Sequence, residues 1–116
     1  MDKSGHYFGT FKLTGRKAEA LIDTGASAVA INLSTARKLG LNIRPSDMKQ
    51  VVNTANGKAR ATIAMLDRVE VGRITIDQVQ AIVLEDQALS TTLIGMTFLN
   101  RLKAFKVDAG TLTLVQ

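Results

Sequence analysis

Cysteine and tryptophan are absent from this sequence, and histidine and proline occur once each, as His6 and Pro45. The lack of cysteine excludes thiol catalysis, zinc ribbons and a disulfide framework. A Ser-His-Asp triad would have to use His6, which lies near the N-terminus, so we do not expect catalysis by such a triad. No apolar run approaches the roughly 20 residues that cross a membrane, and no signal peptide is recognisable.

Aromatic residues make up only 4% of the chain, although its net charge is +5. The basic residues are dispersed along the sequence, and no nucleic-acid-binding motif or base-stacking platform accompanies them. The charge therefore indicates a solvated basic surface, and nucleic acid is not an expected partner. Electrostatic steering of acidic partners stays open.

The length of 116 residues suffices for one domain with one hydrophobic core. We expect a single domain over residues 1–116, in which residues 1–5 form a flexible N-terminus. Whether those five residues are a native start or a trimmed end is not decided by the sequence.

Short apolar segments separated by turn residues predict a mainly β fold. The predicted strands are residues 6–13, 18–22, 28–33, 51–54, 58–66, 69–71, 74–76, 79–84, 104–107 and 111–115. One short helix is predicted at residues 35–39, with Ser34 as N-cap and Gly40 as its stop, and another at residues 96–102. Residues 20–23 loosely resemble residues 92–95, too weakly to count as a repeat.

The most informative segment is Asp23-Thr24-Gly25, which follows an apolar run and occurs once in the sequence. Gly25 allows a sharp turn and a close backbone approach, and the Thr24 hydroxyl can hydrogen-bond to a neighbouring loop. Two such loops face to face would bring two carboxylates together, and the pair would share one proton. One carboxylate would then act as general base on a water while the other polarises the scissile carbonyl. Because one chain supplies half of this site, the chemistry would require a homodimer.

Alone, Asp-Thr-Gly is a weak signal, because short Asp-Gly turns are common at solvent-exposed positions. Three features of its context strengthen it. Apolar strands lie on both sides, a hairpin with Asn56-Gly57 at its tip follows, and Leu93-Ile94-Gly95 precedes a short helix near the end.

In this order the segments resemble the retropepsin-like aspartic proteases, single-domain enzymes that work as homodimers. The matching parts are a catalytic loop at residues 23–26, a flap hairpin around Asn56-Gly57, the segment 93–102 and a terminal strand. More narrowly, residues 54–57 and 93–99 resemble the protease domain of bacterial membrane-anchored retropepsin-like proteins. The resemblance runs from Tyr7 onward and implies a closed, barrel-like β fold with short helices.

The resemblance also implies a role for each matching residue. Asp23 is the catalytic carboxylate, Thr24 makes a hydrogen bond between the paired loops, Gly25 keeps the loop tight, and the Gly95 turn packs beneath it. The implied substrate-binding residues are Ala26, Ser27, Ala55, Asn56 and Gly57. The last three form a flap tip that closes over an extended polypeptide, and no metal or cofactor is implied.

Two positions depart from viral members of the family. Ser27 stands where they often have a carboxylate that holds the substrate backbone, and the flap tip has one glycine rather than several. The first leaves subsite preferences open, and the second predicts a stiffer flap. Because the bacterial relatives usually carry an N-terminal membrane helix, we expect a soluble domain tethered to the inner membrane, with the periplasm as one expectation. We expect no membrane contact by the present segment itself.

Several other residues have simpler interpretations. Asp108-Ala109-Gly110 could be a second catalytic loop within the chain, but it is interpreted as the turn of the last hairpin. Ala109 lacks the hydroxyl that the paired loops need, and only six residues follow Gly110, too few to complete a second lobe. A solvated surface is the expected place for Asp67, Asp77, Glu85 and Asp86, and the core for Met96, Phe98, Leu99 and Leu102. The alternative to an enzyme is a non-proteolytic dimerisation or peptide-binding module, which an intact Asp23-Thr24-Gly25 disfavours.

Overall fold

The computed structural model describes residues 6–54, 57–108 and 111–116. The expected N-terminal segment, the flap-tip residues Ala55 and Asn56, and the turn residues Ala109 and Gly110 lie outside the described residues. The described part measures 39 × 28 × 20 Å along its principal axes.

Strands dominate the described residues, as the mainly β prediction requires. They are β1 (His6–Leu13), β2 (Arg16–Asp23), β3 (Val29–Asn32), β4 (Gln50–Thr54), β5 (Gly57–Val71), β6 (Ile74–Leu84), β7 (Thr92–Ile94), β8 (Ala104–Asp108) and β9 (Thr111–Val115). The helices are short: α1 (Leu33–Lys38), α2 (Met96–Leu99) and two 3-10 turns (Pro45–Asp47 and Asp86–Ala88). No helix among the described residues is long and apolar enough to span a membrane.

Six strands close into a barrel in the order β1-β2-β7-β3-β6-β5, and β4 lies outside the ring against β5. The closing contact is a short antiparallel pairing of β1 with β5, in which Lys12 lies opposite Glu70 and Leu13 opposite Val69. Strands β8 and β9 form a separate two-stranded sheet. Closure leaves few free strand edges in a small β domain.

Strands β2 and β7 pair in parallel, with Leu21 opposite Leu93 and Ile22 opposite Ile94. The loose sequence similarity between residues 20–23 and 92–95 thus corresponds to two neighbouring strands in register. Both strands alternate in the same way, so Ile22 and Ile94 are fully buried while Leu21 and Leu93 are half-buried on the opposite face.

The barrel interior is filled by side chains that face inward from alternate strand positions. Its fully buried large members include Leu13, Ile22, Ile31, Leu66, Val69, Val79, Val83, Ile94, Phe98 and Leu99. Each such side chain contributes about 1.5–3 kcal/mol by leaving water. Helix α2 is shorter than the predicted 96–102, yet Phe98, Leu99 and Leu102 are buried and Met96 packs against them, which confirms the expected core positions.

Helix α1 begins two residues earlier than predicted, because Asn32 rather than Ser34 is its N-cap. The Asn32 side chain accepts a hydrogen bond of 2.8 Å from the Thr35 N–H. The Ser34 hydroxyl instead donates to the Asp86 carboxylate. The predicted stop is confirmed, since Gly40 follows the helix with a φ of +85°.

Strands β5 and β6 are continuous over 15 and 11 residues, whereas the sequence predicts two short strands in place of each. The polar pairs at residues 67–68 and 77–78 resemble turns in the sequence. In the structure Arg68 pairs with Asp77 within the ladder. Gln78 adopts a φ of +55°, and the Arg101 guanidinium donates to the carbonyls of Asp77 (2.9 Å) and Gln78 (2.8 Å).

Candidate active site

Asp23 is the last residue of β2 and is half-buried. Side chains alternate across a strand, and the preceding Ile22 is fully buried in the barrel interior. The Asp23 side chain therefore lies on the outer face of the barrel, together with Leu21. The strand thus buries Ala20 and Ile22 on its inner face and places the Asp23 carboxylate on its outer face.

The loop after Asp23 folds back onto the carboxylate. The Gly25 N–H donates to Asp23 Oδ1 at 2.9 Å, and the Ala26 N–H donates to the Asp23 carbonyl at 3.1 Å. A Cβ on Gly25 would lie 3.3 Å from Asp23 Oδ1. The backbone of Gly25 does not have a positive φ. Close approach to the carboxylate, rather than a left-handed turn, therefore favours glycine at this position.

The remaining residues of this loop are accessible to different degrees. Thr24 and Ala26 are half-buried, and Ser27 is exposed. The Ala26 carbonyl accepts a hydrogen bond of 2.9 Å from the Met96 N–H at the start of α2. The Ala26 carbonyl thus joins the loop to the helix, whereas the Ser27 side chain faces solvent.

Gly95 lies directly against the loop, as the resemblance implies. A Cβ built on Gly95 would stand 2.7 Å from the Ala26 carbonyl oxygen and closer still to that of Ala28. Both obstacles are backbone atoms, which cannot rotate away as a side chain would. The residue before α2 must therefore be glycine for the loop to keep this position.

Thr97 is a contact residue of the loop that no sequence-based prediction includes. Its Oγ1 accepts a hydrogen bond from the Val29 N–H and donates one to the Gln80 carbonyl, both at 2.8 Å. The only signal in the sequence is a hydroxyl residue inside an otherwise apolar segment, whose other members are predicted as core.

An apolar row crosses the outer face of the barrel beside Asp23, with one residue from each of the six barrel strands. We call it the outer row; in register order it consists of Phe8, Leu21, Leu93, Ala30, Ile82 and Ile63. Its two ends are open to solvent, with Phe8 55% and Ile63 50% exposed. The four residues between these ends are half-buried or buried.

The middle of the outer row is covered by the hairpin of β4 and β5. Ala59 and Ala61 of β5 are buried in a second apolar cluster with Ala30, and Val52 of β4 packs against it with Leu93. This cluster is separate from the barrel interior. The base of the predicted flap therefore lies over the same face on which Asp23 is found.

The predicted flap is an antiparallel hairpin, but its turn differs from the prediction by one residue. Gly57 is the first residue of β5 and pairs with Thr54, whereas the sequence predicts that β5 begins at Lys58. Ala55 and Asn56 themselves lie outside the described residues. The φ of Gly57 is +104°, and its carbonyl accepts a hydrogen bond of 2.7 Å from the Thr54 hydroxyl. Glycine adopts a positive φ without the strain that a Cβ would bring, which favours glycine at position 57.

The other carboxylates make structural contacts. Glu85 is half-buried and accepts a hydrogen bond of 2.7 Å from the Arg60 N–H. Asp86 is exposed and accepts hydrogen bonds from the hydroxyl and the N–H of Ser34, which lower the pKa of its carboxyl below the usual range. Asp67 and Asp77 are exposed, as predicted. Within residues 6–54, 57–108 and 111–116, no three His, Cys, Asp or Glu side chains form a metal-binding group.

The closed barrel, the loop at Asp23 and the overlying hairpin define a retropepsin-like aspartic protease domain. The sequence model of the family described as "gag-polyprotein putative aspartyl protease" matches residues 10–101, which include the Asp23 loop, the hairpin and Gly95. The chain belongs to this family.

Solved structures agree with this assignment. A retropepsin-like aspartic protease from Rickettsia conorii superposes with a TM-score of 0.77 and 29% identity, over 96% of this chain and 91% of that one. The EIAV protease in complex with the inhibitor HBY-793 has a TM-score of 0.67 at 16% identity, covering 86% and 90%. The retroviral protease-like domain of Ddi1 from Leishmania major has 0.66 at 23% identity, covering 97% and 90%. The last two show the fold alone.

Two curated relatives are uncharacterized proteins. One, from the cobV 5′ region of a Sinorhizobium species, is 34% identical over 96% of this chain and 48% of its own length. The other, from Rickettsia prowazekii (strain Madrid E), is 30% identical over 95% of this chain and 47% of its own length. The chain thus spans about half the length of the curated relatives it matches.

Proposed function

We propose that this chain is an aspartic endopeptidase that acts as a homodimer. The observation that carries the proposal is the position of Asp23, a half-buried carboxylate at the end of β2, on the barrel face that carries the outer row. Membership of the aspartyl protease family supports it. In this proposal the reaction is hydrolysis of a peptide bond by a water that two Asp23 side chains activate.

The homodimer follows from the number of catalytic loops. Asp-Thr-Gly occurs once in the sequence, so one chain contributes one carboxylate. Two carboxylates in contact share a proton, because both cannot easily be ionised at short distance. The ionised member then takes a proton from water, while the protonated member donates a hydrogen bond to the carbonyl oxygen. Thr24 forms the hydrogen bond between the two loops.

An extended polypeptide with apolar side chains near the scissile bond is the proposed substrate. The outer row offers apolar surface on both sides of the middle of the barrel face, and Phe8 and Ile63 lie at its ends. The hairpin of β4 and β5 would cover the bound peptide, with Ala55, Asn56 and Gly57 at its tip. Covering the peptide excludes water and adds backbone contacts. In this arrangement Ala26 and Ser27 contact the substrate backbone.

The test is digestion of a peptide library by the wild type, Asp23→Asn and Asp67→Asn, read by mass spectrometry. Asp67 is an exposed residue of β5 and provides the matched Asp-to-Asn control. We expect the wild type and Asp67→Asn to cleave the same peptides. Asp23→Asn should lose about 10³-fold or more in rate, since it removes a proton-transferring group.

Cleavage by Asp23→Asn at the wild-type rate would contradict the catalytic role. If the wild type and Asp23→Asn instead both bind peptides and cleave none, at protein concentrations where dimers are demonstrated, that result would identify a non-proteolytic dimerisation or peptide-binding module.

A further inference from the structure

Thr97 connects three segments through one hydroxyl group. The hydroxyl oxygen accepts a hydrogen bond from the Val29 N–H, and the hydroxyl donates a hydrogen bond to the Gln80 carbonyl, both at 2.8 Å. A threonine hydroxyl has one proton and accepting lone pairs, so both bonds can be made at once. Val29 begins β3, Gln80 belongs to β6 and Thr97 to α2.

These bonds act on the loop that carries the candidate catalytic residue. The loop leaves β2 at Asp23 and ends where β3 begins at Val29. Helix α2 contacts it twice, through the Met96 N–H to the Ala26 carbonyl and through the Thr97 hydroxyl to Val29. The second contact also fixes the end of the loop to β6, which belongs to the barrel wall.

We propose that Thr97 is a positioning residue for Asp23, and this inference rests on the proposed function for its catalytic readout. Thr97 does not touch the reacting atoms in this scheme. It holds the far end of the loop, so that the two carboxylates of the dimer meet at the distance at which they share a proton. A displacement of about 1 Å in such a group can cost about 100-fold in rate.

The experiment compares Thr97→Val, Thr97→Ser and Thr14→Val in the full chain. Valine has the shape of threonine without the hydroxyl, and serine keeps the hydroxyl. Thr14, in the turn between β1 and β2, is the matched control, because its one hydroxyl proton also lies within hydrogen-bond distance of backbone carbonyls, those of Leu13 and Leu39. That turn lies at the end of β2 opposite to Asp23.

For Thr97→Val we expect kcat to fall about 10- to 100-fold with KM nearly unchanged, and the pH–rate profile to change shape. Thr97→Ser should restore both to near wild type. Thr14→Val should lower the melting temperature without changing kcat or the pH profile. A rate loss caused only by lower stability would appear in Thr14→Val as well.

A second readout does not depend on catalysis. Amide hydrogen exchange of peptides covering residues 23–31 should become faster in Thr97→Val and stay at the wild-type rate in Thr14→Val. If the wild type cleaves no peptide but this difference is observed, the proposed function fails and the positioning contact stands. If exchange is unchanged in Thr97→Val, the inference itself is wrong.

Two further outcomes would overturn the inference. One is a Thr97→Val enzyme with wild-type kcat and pH profile. The other is loss of the fold in both Thr97→Val and the smaller Thr97→Ala while Thr14→Val folds, because the hydroxyl would then be needed by the whole domain and not by the loop.

Discussion

At the scale of single residues, Gly95 is the glycine, among those in the described part of the chain, at which an added Cβ would make the closest contacts. Its Cβ would meet the backbone carbonyls of Ala26 and Ala28, neither of which belongs to a side chain that could move aside. We expect Gly95→Ala to lower the free energy of unfolding by about 2–3 kcal/mol, as overpacking in a dense region does. Proteolytic activity should fall with it, because the displaced loop carries Asp23. Urea unfolding and peptide cleavage measure the two effects.

Gly15→Ala is the matched control for this prediction. Gly15 has a φ of +86°, and no atom lies within 4 Å of the place that a Cβ would take, so alanine there meets backbone strain but no clash. The strain should cost about 1 kcal/mol. Activity should stay at the wild-type level after Gly15→Ala, since the turn is remote from the loop. Equal losses of activity in the two variants would show that the loss in Gly95→Ala does not come from displacement of the Asp23 loop.

The sequence indicates those candidate site residues whose side chains or motif suggest a role, and it gives no indication of Thr97, which contacts the loop through backbone groups. Asp23 and Gly95 can be singled out because each belongs to a short sequence motif: a carboxylate before Thr-Gly, and a glycine after an apolar pair. Thr97 cannot, since its importance depends on Val29 and Gln80, which are distant in sequence and donate or accept through the backbone. Backbone groups have no signature in the sequence.

At the scale of elements, the contact between Ser34 and Asp86 joins α1 to the connection between β6 and β7. The Ser34 hydroxyl and N–H both donate to the Asp86 carboxylate and lower its pKa in the folded state. The unfolded chain therefore binds more protons than the folded one in the acidic range, and stability rises with pH there. The contribution is present above the unfolded pKa of about 4 and is lost as the pH falls through the lower folded value.

We therefore expect Asp86→Asn to have a flatter dependence of melting temperature on pH than the wild type below about pH 4. Asparagine keeps an acceptor oxygen but has no charge to lose. The effect should be small because Asp86 is exposed. Ser34→Ala should reduce the same dependence, and the double variant should add little to either single one. Identical pH dependences in the wild type and Asp86→Asn would contradict this origin of acid sensitivity.

Element boundaries show where local patterns stop being sufficient. The long strands β5 and β6 include polar pairs that look like turns in the sequence, but Arg68 and Asp77 pair across the ladder and Arg101 holds the carbonyls around Gln78. In α1 two good capping residues compete, and Asn32 takes the cap while Ser34 binds Asp86. In each case a tertiary partner decides between local alternatives of similar merit.

At the scale of the whole molecule, the barrel strands have two apolar faces: one is buried in the interior, and the other is partly exposed to solvent. The interior holds the larger cluster of buried apolar side chains, contributed mainly by the barrel strands and by helices α1 and α2. The outer row lies on the other face of the same strands and keeps Phe8 and Ile63 half-exposed. The hairpin of β4 and β5 already covers the middle of the row. In the proposed complex, a peptide substrate and a second copy of the chain would cover its ends.

Mixed dimers test whether the active site is assembled from two chains. Wild type and Asp23→Asn are unfolded together in equal amounts and refolded, so that chains pair at random. If each site needs two Asp23 side chains, about one quarter of the dimers are active, and if one suffices, about three quarters are active. When the fraction of Asp23→Asn is raised at constant total protein, activity should fall as the square of the wild-type fraction.

The control mixture uses Asp67→Asn in place of Asp23→Asn and should keep the activity of an equal amount of wild type. Dilution provides the second arm, because specific activity should fall below the dissociation constant of the dimer. A linear loss of activity with the fraction of Asp23→Asn would mean that each chain acts alone. Activity that stays proportional to concentration through a demonstrated dimer-to-monomer transition would mean the same. Either result would place the second carboxylate within the chain, where the sequence has no other Asp-Thr-Gly.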